Sequence, residues 1–277
     1  MRIAILISGR ATRYDVCLLP LLIQNNDVNI DVFMSINDEN ENCDYYNEMK
    51  LKLKPWLKSC IIKKYIMPEE IIDLFNPIES ISNEIQINLQ KINGKYLPHN
   101  CLSMYFNDNL SFKNACEYAD NNNFEYNYYM KYRSDIINTT IPKIYSEKED
   151  NIHLYSAVPM CNFISKGIFK KPIVCDIIAW GNKKTMSIYC NTYWYVLNKI
   201  NEYHGKYYVH GESSLTDNIY ENNVPISYFN IPYSLDKDRR MFDDVNNDSR
   251  QPIQNQEYFM KITDKESINY IKAEKQE

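Results

Sequence analysis

Glycine is scarce in this chain: six residues in 277, where average usage of ~7% would give about twenty. The background is rich in Asn, Ile, Lys and Tyr instead, so optional glycines are replaced and the survivors mark places where the backbone needs one. Long apolar runs are also missing. None approaches the ~18–20 residues of a membrane-spanning helix. The opening Ile3–Ile7 is shorter than the ~7–15 residues of a signal-peptide core, so a cytoplasmic chain without an export signal is expected. An excess of positive charge is absent too, with 31 basic against 36 acidic residues and a net charge of −5. That disfavours a nucleic-acid partner, which needs a basic patch to displace counterions from phosphates. Closely paired cysteines are missing: the eight are nowhere closer than the 14 positions from Cys161 to Cys175. Structural zinc sites pair ligands two to four residues apart, so these are read as small buried hydrophobes in a reducing compartment.

What remains is an ordinary globular composition, 44% hydrophobic and 24% charged, of a length suited to one large domain. Ile3-Ala4-Ile5-Leu6-Ile7 reads as a central parallel strand, apolar on both faces. Ser8-Gly9-Arg10 ends it. A helix follows over 14–24, kinked at Pro20 or starting late near Leu19, and a second strand covers 30–36. Strand, turn, helix and strand in under 40 residues is the βαβ unit of a doubly wound sheet. Further along, the pattern predicts a helix over 46–58, a strand over 61–66, a surface excursion over 68–100 and a long helix over 102–120 stopped by Asn121-Asn122-Asn123. Strands are predicted over 124–132, 152–158, 173–179 and 226–233, with helices over 183–203 and 212–222. No repeat or linker divides the chain, so a single domain over 1–240 is expected, followed by a polar extension over 241–277.

Four segments carry residues suited to chemistry. In Tyr132-Arg133-Ser134-Asp135, a strand ends in a cation and a carboxylate. Ligands of open α/β sheets bind in the crevice at the carboxyl ends of the strands. A carboxylate there can hold a hard divalent cation, and an arginine can pair with phosphates bidentately. The same two residues also suit a plain salt bridge at a strand end. Ser8-Gly9-Arg10, with Arg13 one turn on, offers a tight turn beside two cations, or simply a strand-to-helix turn with exposed arginines. It is not G-x-G-x-x-G, so a dinucleotide site is disfavoured. Asp176 interrupts Ile173–Ala179, and a buried unpaired carboxylate is costly. It therefore points out of the sheet or has a defined partner. Gly181 and Asn182 make the turn after it, and Asn182 can cap the next helix. In His210-Gly211-Glu212, Glu212 falls at a helix start where the macrodipole favours a carboxylate, which by itself accounts for the acid.

Taken in order, S-G-R after the first strand, D-V-F-x-S-I-N at the second, S-M-Y-F in the long helix, Y-x-K-Y-R-S-D-I, A-W-G-N-K-K-T-M and H-G-E-S-S-L resemble a family of sugar-nucleotide-dependent glycosyltransferases of the GT-A fold. Its members occur in bacterial surface-polysaccharide clusters and in large DNA viruses. The likeness runs from about residue 1 to 240. It implies a GT-A-like α/β fold with a mainly parallel sheet sandwiched by helices. It also implies transfer of a sugar from a nucleoside diphosphate donor, uridine-linked, to a glycan hydroxyl. Ser8, Gly9, Arg10, Arg13, Asn37, Arg133 and Asp135 would bind the nucleotide sugar. Asp135, with His210 as a second ligand, would hold a divalent cation, manganese or magnesium, although Arg133 stands where the first acid of D-x-D is usual. Asp176 and Glu212 would face the sugar and acceptor. Asp176 is preferred as the base, because its apolar setting would raise its pKa. An inactive nucleotide-sugar-binding module and another Rossmann-like transferase, such as a methyltransferase, are the alternatives.

On this reading Asp135→Asn removes most transfer activity and leaves the fold intact, because a bound cation supplies several kcal/mol of leaving-group stabilisation and each ~1.4 kcal/mol is tenfold in rate. Transfer that persists undiminished in EDTA would assign the neutralisation to Arg133 and the other arginines instead.

Overall fold

The computed structural model describes residues 1–9, 14–38, 44–63, 98–134, 136–137, 150–155, 174, 176–202, 209, 211–229 and 234–235. The first βαβ unit is as the sequence pattern implies. Strand β1 (Arg2–Gly9) is followed by α1 (Tyr14–Cys17) and α2 (Leu19–Gln24), then β2 (Asn29–Asn37). Pro20 divides the expected single helix in two. It sits in the first turn of α2, where its missing N–H has no intrahelical partner to lose. A second unit adds α3 (Asp44–Leu53) and β3 (Leu57–Lys63). The long helix α4 (Pro98–Asn121) leads to β4 (Tyr128–Arg133) and the short β5 (Ile136–Ile137). Then come β6 (Ile152–Tyr155), β7 (Ile178–Gly181), α5 (Lys183–Cys190), α6 (Thr192–Glu202), α7 (Gly211–Glu221), β8 (Ile226–Phe229) and β9 (Ser234–Leu235).

Seven strands form one mixed sheet in the order β3-β2-β1-β4-β7-β6-β8, and β5 pairs with β9 in a separate two-stranded ribbon. The pairs β1–β2, β1–β4, β2–β3 and β6–β8 are parallel. Only β7 runs against its neighbours β4 and β6. The architecture is therefore α/β with a mostly parallel sheet, as expected. The segment 241–277 lies outside the described residues.

The period of two along each strand sorts its side chains onto two faces. Ile3, Ile5, Ile7, Val32, Met34, Ile36, Met130 and Tyr132 pack with Tyr14, Leu18, Leu21, Leu22, Tyr46, Met49 and Leu53 of α1–α3. Ala4, Leu6, Phe33, Tyr129, Ala179 and Leu154 pack on the other face with α4–α7, through Leu102, Phe112, Ala115, Met186, Val196 and Leu215. This double cover is why the β1 sequence is continuously apolar.

The helix expected over 46–58 ends at Leu53 and the strand expected over 61–66 starts at Leu57. Three further elements differ from the pattern, each where hydrogen bonds outside the expected strand or helix engage the backbone. The strand expected over 173–179 is instead a bend at Asp176 and Ile177 followed by β7. The Val174 N–H donates to Thr216 Oγ1 at 2.8 Å, and the Asp176 carbonyl accepts from Lys131 Nζ, so neither group needs a ladder partner. The strand expected from Phe124 begins at Tyr128, because Phe124 N–H closes the end of α4 on the Ala119 carbonyl while its ring stacks 3.5 Å from the Arg2 guanidinium. The single helix over 183–203 breaks at Asn191, where Asn218 Nδ2 takes the Ile188 carbonyl and Thr192 Oγ1 the Tyr189 carbonyl, both at 2.7 Å.

Scarce glycine has a direct consequence at the helix ends. Helices α4 and α7 both stop with a left-handed residue, and asparagine fills it in each case: Asn123 at φ 54° and Asn223 at φ 51°. Asparagine is the side chain that tolerates this region best after glycine. Gly9, at φ +88°, ends β1 in a conformation that L side chains avoid. Gly181 is kept for space. A Cβ there would overlap Thr185 Oγ1 and lie 3.4 Å from the Asn151 carbonyl oxygen. Thr185 cannot retreat easily, since it is buried and its N–H and hydroxyl engage the Asn182 cap at 2.9 and 3.2 Å. Gly181→Ala should therefore lower stability by about 1–3 kcal/mol in urea unfolding. Adding Thr185→Ala should recover part of that loss, because the overlapping atom is gone. Parental stability in the single variant would refute the steric account.

Candidate functional site

Along α4 the interface with the sheet changes character. Its C-terminal half presents Phe112, Ala115 and Ala119 to the core. Its N-terminal half presents Ser103, Asn107, Asp108 and Ser111, all buried. These lie against the carboxyl ends of β1, β2 and β4, where Ser8, Ser35, Asn37 and Lys131 replace the apolar residues lower in the same strands. Ser35 Oγ donates to Asn107 Oδ1 at 2.6 Å, and Asn107 Nδ2 donates to the Ser103 carbonyl at 2.7 Å. Asn37 Nδ2 donates to Ser103 Oγ. Asn37 Oδ1 is buried and has no partner among the described residues. It is a buried acceptor at the carboxyl end of β2 whose capacity is unused among the described residues.

The most concentrated chemistry lies beside it. Ser8 is the register partner of both Ser35 on β2 and Arg133 on β4. Its hydroxyl donates to Asp108 Oδ1 at 2.5 Å. Asp108 Oδ2 lies 4.0 Å from Lys131 Nζ, and Lys131 Nζ donates to the Asp176 carbonyl. The Asp176 carboxylate in turn lies 3.6 Å from Arg133 Nη1, whose backbone N–H donates to the Ile177 carbonyl at 3.1 Å. Lys131 is 1% exposed and Asp108 3%, whereas the Arg133 side chain is 25% exposed. The buried pair thus supports from below a partly open cation at the edge. Burial pushes the Asp108 carboxyl up from its ordinary range. Lys131 and the Ser8 hydroxyl pull it down, and the Asp176 charge pushes it up again.

Glu212 belongs to the same neighbourhood. It lies in the first turn of α7, next to Gly211, whose carbonyl accepts from the Tyr105 hydroxyl of α4. The Cys101 thiol is pushed up to about 12, first by burial and then by the charges of Glu212 and Asp176. The charges of both candidate acids therefore reach one thiol at the N-terminal end of α4. Such a thiol stays protonated and unreactive.

Of the residues singled out in the sequence, Ser8, Gly9, Asn37, Arg133, Asp176 and Glu212 come to the carboxyl edge of one sheet. The Ser8 hydroxyl turns onto α4, and Asp176 has a defined partner in Arg133. Asp176 precedes β7 and lies in a bend facing the Arg133 guanidinium, not within an apolar strand. Arg10, Arg13, Asp135 and His210 lie outside the described residues. The cation expected at Asp135 and His210 rests on those two positions, and among the described residues no three His, Cys, Asp or Glu side chains come together as a metal site would need.

Two residues of the site were not selected by sequence reasoning. Lys131 reads as one polar position in an aromatic strand, and Asp108 as one acid in an Asn-rich helix. Their signal is periodic: Lys131 shares the buried face of Tyr129, and Asp108 lies one turn from Tyr105 and from Phe112, so both fall on core-facing positions. No protein-family model matches this chain, and no curated protein matches it.

Because the folded state favours a protonated Asp108 relative to the unfolded chain, it binds more protons just above the ordinary carboxyl range. This group's contribution to stability is full at low pH and is lost as pH rises through the raised pKa. The stability of Asp108→Asn relative to the parent should accordingly increase from pH 4 to pH 7 in urea titrations. The opposite trend would mean that Lys131 outweighs burial at this site.

Proposed function

We propose that the chain is a sugar-nucleotide-dependent glycosyltransferase of GT-A type, moving a sugar from a uridine diphosphate donor to a glycan hydroxyl. The observation that carries this reading is the placement of Arg133 in register with Ser8 and beside Asp176, at the carboxyl edge where open α/β sheets bind nucleotides. A departing diphosphate develops negative charge, and a preorganised guanidinium on a low-dielectric floor neutralises it. Asn37, at the carboxyl end of β2 and tied to Ser103 of α4, is a further polar group of the same edge. Gly9, at φ +88°, ends β1 at this edge in a conformation suited to a tight turn. Asp176 and Glu212 are the candidates to take the proton of the acceptor hydroxyl in an inverting reaction. A divalent cation at Asp135 and His210, manganese or magnesium, is part of the same proposal and would share the neutralisation with Arg133.

The test is a thermal-shift screen over uridine diphosphate, its sugars and S-adenosylmethionine, with and without manganese, followed by transfer assays. A ligand at ~100 times its Kd stabilises by about 2.7 kcal/mol, so uridine diphosphate should raise the Tm clearly and S-adenosylmethionine should not. In transfer, Asp176→Asn should lower kcat by about 10²–10⁴-fold with little change in donor affinity, and Glu212→Gln should act more on stability or acceptor KM. A shift with S-adenosylmethionine alone would replace the reading with a methyltransferase. Nucleotide binding without transfer to any acceptor would reduce it to a binding module.

A further inference from the structure

Lys131 has no solvent to face and no place in the sugar-nucleotide chemistry just described, yet it joins three elements. Its stem is embedded between β4 and α4, and its amino group reaches the Asp176 carbonyl and comes within 4.0 Å of Asp108 Oδ2. Asp108 is held in turn by the Ser8 hydroxyl and lies one turn before Ser111, whose hydroxyl donates to the Asp108 carbonyl at 3.0 Å. The contacts close on themselves. Ser8 leads to Asp108, Lys131, the Asp176 backbone, the Asp176 carboxylate and Arg133, and Arg133 is the register partner of Ser8. Burying a lysine and an acid is not a route to stability, since an apolar pair of similar volume serves as well or better. Two hydrogen bonds flank the bend at 176–177: the Val174 N–H donates to Thr216 Oγ1 and the Arg133 N–H to the Ile177 carbonyl.

We propose that Lys131 is a positioning residue, which grips the Asp176 backbone from beneath and so sets the Asp176 carboxylate against the Arg133 guanidinium at the open edge of the sheet, with Asp108 as its anchor. What the positioned pair acts on rests on the glycosyl-transfer reading; the tie itself does not. The geometry has the required economy of direction. Lys131 and Arg133 are two residues apart on β4 and share a face, so one cation secures the main chain of the very residue whose side chain the other one meets.

The experiment removes the tie without leaving a lone buried charge. Lys131→Met by itself strands Asp108, so it is made together with Asp108→Asn, which removes both charges and keeps both shapes. Two quantities are read at matched Tm: hydrogen exchange of the 174–178 amides against those of β1, and the separate kcat and donor KM for transfer. The double variant should exchange at least ~10-fold faster over 174–178, with β1 unchanged. Its kcat should fall by about 10²-fold, as a misplacement of about 1 Å produces, with donor KM near the parental value. Should the double variant not fold, Lys131→Met with Asp108→Leu, which also removes both charges and the tie and leaves an apolar pair, is read in the same way for the same direction of change. Parental exchange and kcat, or faster exchange with parental kcat, overturns the positioning role. A parent that neither binds a nucleotide nor transfers a sugar defeats the functional reading instead, and the exchange measurement then still decides whether Lys131 holds the bend.

Discussion

The Asp108 carboxyl group sits in the middle of a helix–sheet interface with no access to water, and much of the carboxyl edge is organised around that fact. A buried acid is costly unless its hydrogen bonds and charge are answered. Ser8 answers from β1 and Lys131 from β4. Lys131, buried as well, must place its remaining donors, and the carbonyl of Asp176 takes one. The bend before β7 follows, and with it the position of the Asp176 carboxylate beside Arg133. Satisfying one polar group thus fixes three chain segments that are remote in sequence.

The opposite end of the sheet solves a similar problem without producing a site. Asp31 is buried near the start of β2, where Arg2 approaches at 2.8 Å, Lys58 at 3.4 Å and the Tyr126 hydroxyl donates at 2.7 Å. The rings of Phe124 and Tyr126 lie over the Arg2 guanidinium. Here every approach comes from the flanks of the same strands and an acid is surrounded by its counter-charges, so the cluster seals the sheet. At the carboxyl edge, among the described residues, Arg133 is partly exposed and the buried Asn37 Oδ1 has no hydrogen-bond partner. Among the described residues, that difference distinguishes the two ends of one sheet.

The carboxyl end also explains why α4 is more than a cover. From Phe112 to Ala119 it packs as any amphipathic helix does, by apolar burial. From Ser103 to Ser111 it supplies serine, asparagine and aspartate at the same spacing, turning the stripe polar without changing its geometry. A helix that continues one packing face from core to site transmits the rigidity of the core to the site. The half-buried thiol of Cys101 and the Tyr105 hydroxyl extend this contact to the start of α7, where Glu212 stands.

By itself the sequence determined the first βαβ unit, the long helix and its asparagine stop, the Asn182 cap and the α/β class. Each of these is written in local periods and in residues whose backbone preferences are strong. It also carried the carboxyl-edge positions of Ser8, Asn37 and Arg133, because a residue that follows an apolar parallel strand is at that edge wherever the strand lies in the sheet. The tertiary structure alone decided the antiparallel insertion of β7, the bend that takes Asp176 out of a strand, and the pairing of Asp108 with Lys131. The reason is physical. Strand order and direction depend on which edge is free when the chain returns, and a buried charge is stable only through a partner that the linear order does not reveal. Between Asp108 and Lys131 lie 22 intervening positions, and between Lys131 and Asp176 another 44; only the folded sheet makes them neighbours.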